Sequence, residues 1–441
     1  MPTAIEIFKL LPKKNCGECK FPTCLAFAMQ LANQKAKLDD CPHVSEESKG
    51  LLAASAAPPI RSVRIGTGEN RLEIGDETEL YRHEKKFFHP TCYAIAVSDK
   101  SSIQEREKRV EKVNRLKFER VGQILKIDMI GVRNDSGDAN TFADAVEEVS
   151  NHTDLPLILF TSDPNSMRAA AAKIAVKIPL LHAATSLNVD AMAAIAKEMK
   201  CPLVVREDGD LDKLVDLARK VKAIGVEDMV VDFGPKSLKD LLEKSTIIRK
   251  VSVKKTFRGL GYPIMVDAGS GEKAVLMAMI STMKYGSIIA FDDISPAEIL
   301  PLFVLRQNIF TDPQVPILVK PDLYPINNPD ENSPLLFTTN FSLTYFTVVG
   351  DLEKSKMPAW LQVIDTEGLS VMTAFAAGKL TPETVAKALE ASAAVEKSKR
   401  GDIIVPGLLS RMSWRLQEIT GLNTIIGPKE SSALPKFMKS L

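Results

Sequence analysis

LPLILFTSD, residues 155–163, is an apolar run with a proline near its start and a Thr-Ser-Asp close. Four to eight apolar residues bounded by turn formers suit a strand buried on both faces, and the final Asp suits the cap of a following helix. The same unit recurs along the chain. CYAIAVSD (92–99), ILKIDMIGVRND (124–135), IPLLHAAT (178–185), CPLVVRED (201–208), DMVVDFG (228–234), PIMVDAGS (263–270) and SIIAFDD (287–293) flank it, separated by charged, helix-favouring stretches. Eight such runs over about 265 residues match the strand number and length of a TIM (β/α)8 barrel, here placed at residues 58–325. A doubly wound sheet is the other arrangement the pattern allows. Because most runs end in Asp, Ser or Thr, the end-of-strand carboxylates Asp163, Asp232 and Asp267 are expected to cap helices rather than to catalyse.

Downstream, residues 326–441 repeat this logic on a smaller scale. LLFTTNFSLTYFTVVGD (335–351), WLQVIDTEGLSVMTAFAAGKL (360–380), GDIIVPGLLSRMSWRLQEI (401–419) and NTIIGPKESSALPKFMKSL (423–441) carry strands followed by small-residue turns and amphipathic segments. TPETVAKALEAS (381–392) is a helix with Pro382 in its first turn. An open, Rossmann-like α/β sheet follows, with the turns DTEGLS, PGLLS and GPKESS at the carboxyl edge, where such sheets bind ligands. Neither G-x-G-x-x-G nor G-x-x-x-x-G-K-[ST] occurs, so no nucleotide phosphate is indicated. Trp360 and Trp414 both fall in this unit and are expected in its core.

Upstream, residues 1–57 hold NCGECKFPTC (15–24) and Cys41-Pro42, and run into LLAASAAPPI (51–60), whose small residues and paired prolines suit a short stiff linker. Cys16, Cys19, Cys24 and Cys41 follow the spacing C-x2-C-x4-C-x16-C. A zinc knot, the competing reading, usually presents two matched C-x2-C pairs. Here the halves are unequal, and three thiolates crowded together with a fourth arriving from farther away suit the corners of a 4Fe-4S cubane. Thr23 is placed to cap a helix starting at Cys24, which sets that sulfur at a positive helix end. His43 is expected on the surface or beside the site without being a ligand. His83 and His89 bracket HEKKFFH, expected as a solvated loop, and no histidine follows His182.

Composition narrows the class of partners. The chain has 441 residues, 45% hydrophobic and 26% charged, and 57 basic against 56 acidic residues give a net charge of +1. No global field draws it to nucleic acid or membrane, so partners are recognised locally. The start, MPTAIEIFKLLPKK, lacks a signal-peptide core, and no run reaches the roughly 18 apolar residues of a membrane span. A cytoplasmic protein is expected, with Cys92 and Cys201 as buried free thiols.

NCGECKFPTCLAFAMQLANQKAKLDDCP (15–42), GDETELYRHEKKFFHP (75–90), GYPI (261–264), TDPQVPI (311–317), ENSPLLFTTNFSLTYFTVVGD (331–351), DTEGLSVMTAFAAGK (365–379) and GPKE (427–430) span almost the whole chain. In that order they resemble the large subunit of the corrinoid iron-sulfur protein, a family that includes the gamma subunit of the acetyl-CoA decarbonylase/synthase complex. The resemblance implies an α/β protein with a small 4Fe-4S domain, a central TIM barrel and a C-terminal Rossmann-like domain that binds a corrinoid (cobalamin). It implies a methyl carrier of the reductive acetyl-CoA (Wood-Ljungdahl) pathway, a cofactor carrier rather than a stand-alone enzyme. Cob(I)amide takes methyl from methyltetrahydrofolate through a separate methyltransferase and passes it to the nickel centre of acetyl-CoA synthase, and the cluster reduces adventitious cobalt(II). The implied partners are a smaller TIM-barrel subunit in a heterodimer, the methyltransferase, acetyl-CoA synthase and a low-potential electron donor such as ferredoxin.

Carried over residue by residue, the resemblance marks Thr338, Thr344, Gly368, Leu369, Ser370 and Val371 as corrinoid contacts, Thr373 for the lower face and Ala433 in the last turn. The residues themselves are compatible. Corrin side chains are amides, which hydroxyls and backbone groups bind well. The D-x-H-x-x-G motif that supplies a lower cobalt ligand elsewhere is absent, and cobalt without a strong nitrogen donor is easier to reduce. Two other functions remain in competition: an iron-sulfur activator that repairs another corrinoid protein, and a barrel methyltransferase acting directly on a folate.

Overall fold

The computed structural model describes residues 4–32, 35–36, 38–45, 48, 58–312, 315 and 317–441. Ala53–Ala57 of the expected linker, and Pro313, Gln314 and Pro316 of TDPQVPI, lie outside these residues. The chain forms two compact units, one taking Met1–Lys117 and Lys126–Phe310, the other Phe118–Leu125 and Thr311–Leu441.

In the first unit, eight parallel strands close into a barrel: β1 (Cys92–Ser98), β2 (Met129–Arg133), β3 (Leu157–Phe160), β4 (Leu180–Ala184), β5 (Leu203–Arg206), β6 (Met229–Asp232), β7 (Ile264–Gly269) and β8 (Gly286–Phe291). Each of the eight apolar runs supplies one strand, and β8 pairs with β1 to close the ring. The doubly wound alternative is thereby excluded. Met129, Ile158, Leu180, Val204, Val230, Met265 and Ile288 point inward and fill the barrel with side chains, so it is a packed core and not a pore. A hairpin of Val63–Ile65 and Leu72–Ile74 adds Val63, Ile65 and Ile74 to the same core. HEKKFFH, just before β1, is solvated only at its start. Phe87 is buried against Tyr285 and Phe310, and the Glu77 carboxylate accepts the Phe88 and His89 N–H groups at 2.8 and 3.1 Å.

The N-terminal segment forms two short helices, α1 (Ala4–Leu10) and α2 (Cys24–Ala32). Ile7, Leu11, Phe27, Ala28 and Val44 pack with Cys19, Cys24 and Cys41 into a small core of their own.

The second unit is built on a five-stranded sheet: β9 (Leu323–Ile326), β10 (Leu335–Thr339), β11 (Ala359–Ile364), β12 (Asp402–Val405) and β13 (Asn423–Ile426), in the order β9-β11-β10-β12-β13. Four strands are parallel and β9 is an antiparallel edge beside β11. Pro325 sits in β9, as an edge strand tolerates. Because β9 pairs here, this unit takes up the chain from Thr311, earlier than the boundary at 325/326 expected from pattern. It also takes residues 118–125, where left-handed Gly122 (φ 69°) lies so close to the Phe346 ring that a Cβ would stand 2.3 Å away. β10 is followed by β11 on one side, after which the chain crosses back to lay β12 and β13 on the other. The order therefore reverses between β10 and β12, and the helices that follow them leave from opposite faces, opening a crevice at the carboxyl ends.

Candidate functional site

A cavity of about 300 Å³ occupies that crevice. Leu336, Phe337 and Thr338 of β10 form one wall, and Ile404, Pro406 and Leu408 at the end of β12 form another. Gly427, Pro428, Lys429, Ser431 and Leu434 come from the turn after β13, and Leu343, Thr344, Thr347 and Val348 from α3 (Ser342–Ser355). The turns after β12 and β13 touch backbone to backbone: the Gly407 N–H donates to Pro428 O at 3.0 Å, and a Cβ on Gly407 would stand 2.5 Å from Gly427 O. Only glycine fits there.

Thr338, Thr344 and Val371, three of the residues marked in the sequence, meet in the cavity wall. Thr338 is 2% exposed and its Oγ1 has no hydrogen-bond partner within the chain. Leaving a buried hydroxyl unpaired costs about 1–3 kcal/mol, so the position suits a ligand that supplies the missing partner. Gly368, Leu369 and Ser370 are not among the wall residues; they form the turn that leads from β11 to Val371 and α4 (Val371–Ala376). Gly368 takes φ 75°, and Ser370 is the N-cap residue of α4, its hydroxyl 3.0 Å from that of Thr373. Thr373 and Ala433 are exposed and lie beside the cavity lining rather than in it.

The residue that sequence reasoning missed is Asn340. It is buried just past β10, and its Oδ1 accepts the N–H groups of Thr366 and Gly368 and the Thr366 hydroxyl, all at 3.0 Å. Asn340 thereby ties the 365–370 turn to the strand that carries Thr338. Its signal was an Asn immediately after an apolar run, where its short amide satisfies a neighbouring turn. Trp360 packs on the core as expected, donating to Asp330 O at 2.9 Å, but Trp414 is 73% exposed. Trp414 lies on a helix that turns Leu416 inward, and the indole points the other way.

At the N terminus, Cys19, Cys24 and Cys41 are buried and Cys16 is exposed. Thr23 caps α2 as expected, accepting the Ala26 N–H at 3.1 Å. Asn15 binds Cys24 twice, through its own N–H to the sulfur at 3.4 Å and through Oδ1 from the Cys24 N–H at 2.8 Å. Thiolates around a single zinc stand within about 4 Å of one another, given Zn–S bonds of about 2.3 Å. Among the described residues, the group of ligand atoms lying within 4.8 Å of one another is Cys16, Glu18 and His43, which includes only one of the four thiols. His43 is half-buried beside Cys16, 3.1 Å from Glu18. The other two cysteines are buried, and burial pushes the Cys201 thiol up to about 12 and that of Cys92 higher still.

At the barrel mouth, one of three expected caps is a cap. Asp163 accepts the Ser166 N–H at 2.7 Å at the head of helix Pro164–Ile174. Asp232 instead is fully buried, accepting from His182 Nε2 at 3.2 Å, Arg206 at 3.0 Å and the Gly234 N–H at 2.9 Å. Asp267 receives Arg133 in a two-pronged pair at 2.6 and 3.0 Å. The Arg133 guanidinium lies over the Phe160 ring at 4.3 Å, and Phe160 in turn meets the His182 ring at 4.8 Å. The ends of β2 to β7 are thus joined in a belt of paired groups, whose partners come from other strands and not from the following helix.

The chain resembles known proteins over its whole length. The family model described as CO dehydrogenase/acetyl-CoA synthase delta subunit matches residues 62–438, and a model described as an Fe-S cluster matches residues 11–43. The corrinoid/iron-sulfur protein large subunit of Moorella thermoacetica is 44% identical over 99% of this chain and 98% of its own. The acetyl-CoA decarbonylase/synthase complex subunit gamma of Methanothermobacter thermautotrophicus is 34% identical over 100% of this chain and 99% of its own. A dihydropteroate synthase from Coxiella burnetii matches 56% of the chain at 12% identity and a TM-score of 0.39. With the cysteine segment and both units matched end to end, the chain belongs to the family of corrinoid/iron-sulfur protein large subunits and acetyl-CoA decarbonylase/synthase gamma subunits.

Proposed function

We propose that this protein is a methyl carrier of the reductive acetyl-CoA pathway, with a Rossmann-like corrinoid-binding domain at its C terminus and a 4Fe-4S domain within residues 1–57. The observation that carries the reading is the β10/β12 cavity with the unpaired Thr338 hydroxyl, at the switch point where an open α/β sheet binds its ligand. A cavity of about 300 Å³ seats part of a corrin and its amide arms rather than the whole macrocycle. When bound, the corrinoid supplies a cobalt that carries the methyl group, and the cluster supplies the electron that restores cobalt after oxidation.

The chain's own residues do the rest. Thr338 and Thr344 would offer hydroxyls to corrin amides, and Asn340 holds the 365–370 turn, from which Gly368, Leu369, Ser370 and Val371 would offer backbone groups and Thr373 its hydroxyl. Ala433 closes the last turn. No histidine lies beyond His182, so this domain offers no imidazole to the cobalt, which favours the reduced metal. Cys16, Cys19, Cys24 and Cys41 hold the cluster. The methyl donor is methyltetrahydrofolate through its methyltransferase, the acceptor is acetyl-CoA synthase, and a smaller TIM-barrel subunit completes a cytoplasmic heterodimer.

Anaerobic metal analysis of the heterodimer tests the reading directly, with about four iron and about one cobalt expected. Iron without cobalt favours the activator reading instead. Thr338→Val refines the test. The valine removes a hydroxyl that lacks a partner in the empty chain, so the melting temperature without corrinoid should hold or rise slightly. Corrinoid affinity should fall about 3- to 10-fold, the worth of one hydrogen bond. An unchanged affinity by titration places the corrin elsewhere.

A further inference from the structure

We infer that Cys16, Glu18 and His43 form a mononuclear loading site, which takes the first ferrous ion before the cluster is built. This rests on the iron-sulfur reading of the four cysteines and adds to it two residues that are not among them. The Cys16 thiol, a Glu18 carboxylate oxygen and a His43 imidazole nitrogen lie within 4.8 Å of one another. His43 Nε2 and Glu18 Oε2 are 3.1 Å apart. Ligands on one tetrahedral ion, at bonds of about 2.0–2.3 Å, stand roughly 3–4 Å from each other, so small side-chain rotations close the set.

The backbone explains the grouping. Gly17, between Cys16 and Glu18, takes φ 77°, a conformation that a side chain would strain, and the Lys20 N–H closes a turn on Gly17 O at 2.9 Å. This reversal sets the Glu18 carboxylate beside the Cys16 thiol. Access favours the same corner: Cys19, Cys24 and Cys41 are buried in the small core, whereas Cys16 is exposed and the Glu18 and His43 side chains are 54% and 29% exposed. A hydrated ion arriving from solvent meets the triad before the three covered thiols. One sulfur, one nitrogen and one oxygen suit a divalent transition ion such as Fe2+, while Mg2+ prefers oxygen alone and Cu+ prefers sulfur.

Binding releases the Cys16 thiol proton, and no electron moves. Lys14 opposes it. The Lys14 ammonium lies 3.4 Å from His43 Nδ1 and can only donate, so it has to turn away when the imidazole ligates through Nε2 and carries its proton on Nδ1.

The test uses the full-length chain, stripped of its cluster anaerobically with a chelator and given one equivalent of Mössbauer-active ferrous iron without sulfide. The spectrum should be that of ferrous iron with one thiolate and nitrogen and oxygen ligands. Chelator competition should show Fe2+ affinity lowered about tenfold or more in both Glu18→Gln and His43→Gln. Lys14→Gln should bind Fe2+ about fivefold more tightly, because it removes a cation that repels the incoming ion. A tetrathiolate spectrum for the first ion, or Glu18→Gln and His43→Gln affinities equal to wild type, overturns the loading site. A wild-type chain that takes the first ion at the triad but builds no cluster from further iron and sulfide defeats the iron-sulfur reading beneath it instead.

Discussion

Cys24→Ala is expected to leave the corrinoid in place and abolish its reductive reactivation. Cys24 is the first residue of α2, buried, with its sulfur receiving the Asn15 N–H and facing the positive end of the helix. Removing it takes away one of four thiolates and breaks the small core that Cys19, Cys24 and Cys41 share with Phe27 and Val44. Binding energy at a metal site of this size is also folding energy for the segment, so cluster and local structure are lost together. The cavity between β10 and β12 is built wholly from residues 336–434, and nothing in its lining depends on α2. Iron should fall and the cobalt content should stay unchanged. After deliberate oxidation, the absorption of the reduced corrinoid should not return on adding an electron donor. Full recovery of that absorption would remove the cluster from the mechanism.

What the sequence made legible follows the range of the forces involved. The eight barrel strands are covered outside by helices and inside by one another's side chains, so each is a continuous apolar run that announces itself without its neighbours. Asp163 was equally local, since a cap is read from Asp followed by Pro164 at the head of a helix. Asp232 and Asp267 looked the same and are not. Their partners, His182, Arg206 and Arg133, lie on other strands, fifty residues away for His182, and no window along the chain contains both ends. β9 was not among the expected strands for a related reason: four residues with a proline inside carry little strand signal, and only pairing with β11 makes them a strand. In the cavity, Thr338, Thr344 and Val371 were named from the family resemblance, residue by residue; the residues alone pointed only to small-residue turns at the carboxyl edge of a sheet. The turns PGLLS and GPKESS, which carry Leu408 and Lys429, were placed at that edge too, but that they form one wall emerges only once Gly407 lets the two distant turns touch.

Asp232→Ala should be the most destabilising of the single changes at the barrel mouth. Burial pushes this carboxyl toward neutrality, but the His182 hydrogen bond and the Arg206 charge outweigh it and hold its pKa below the ordinary carboxylate value. Removing it leaves Arg206 paired only with the exposed Asp208 and takes away the His182 and Gly234 hydrogen bonds, a loss of about 3 kcal/mol. For a unit of about 300 residues that lowers the melting temperature by roughly 5 °C. Asp163→Ala, which loses only a helix cap, should cost about 1 kcal/mol. The acid limb gives a second signature. A carboxyl with a depressed folded pKa contributes stability that is complete above its unfolded pKa of about 4 and disappears as pH falls through the lower folded value. The wild-type advantage over Asp232→Ala in thermal unfolding should therefore be full at pH 6 and shrink on acidification below about pH 4. The belt is a structural element if Asp232→Asn, below its own melting point, still supports methyl transfer by the complete system. Loss of methyl transfer in a folded variant that retains cobalt would return the barrel mouth to catalysis, and with it the reading in which the barrel itself handles the methyl donor.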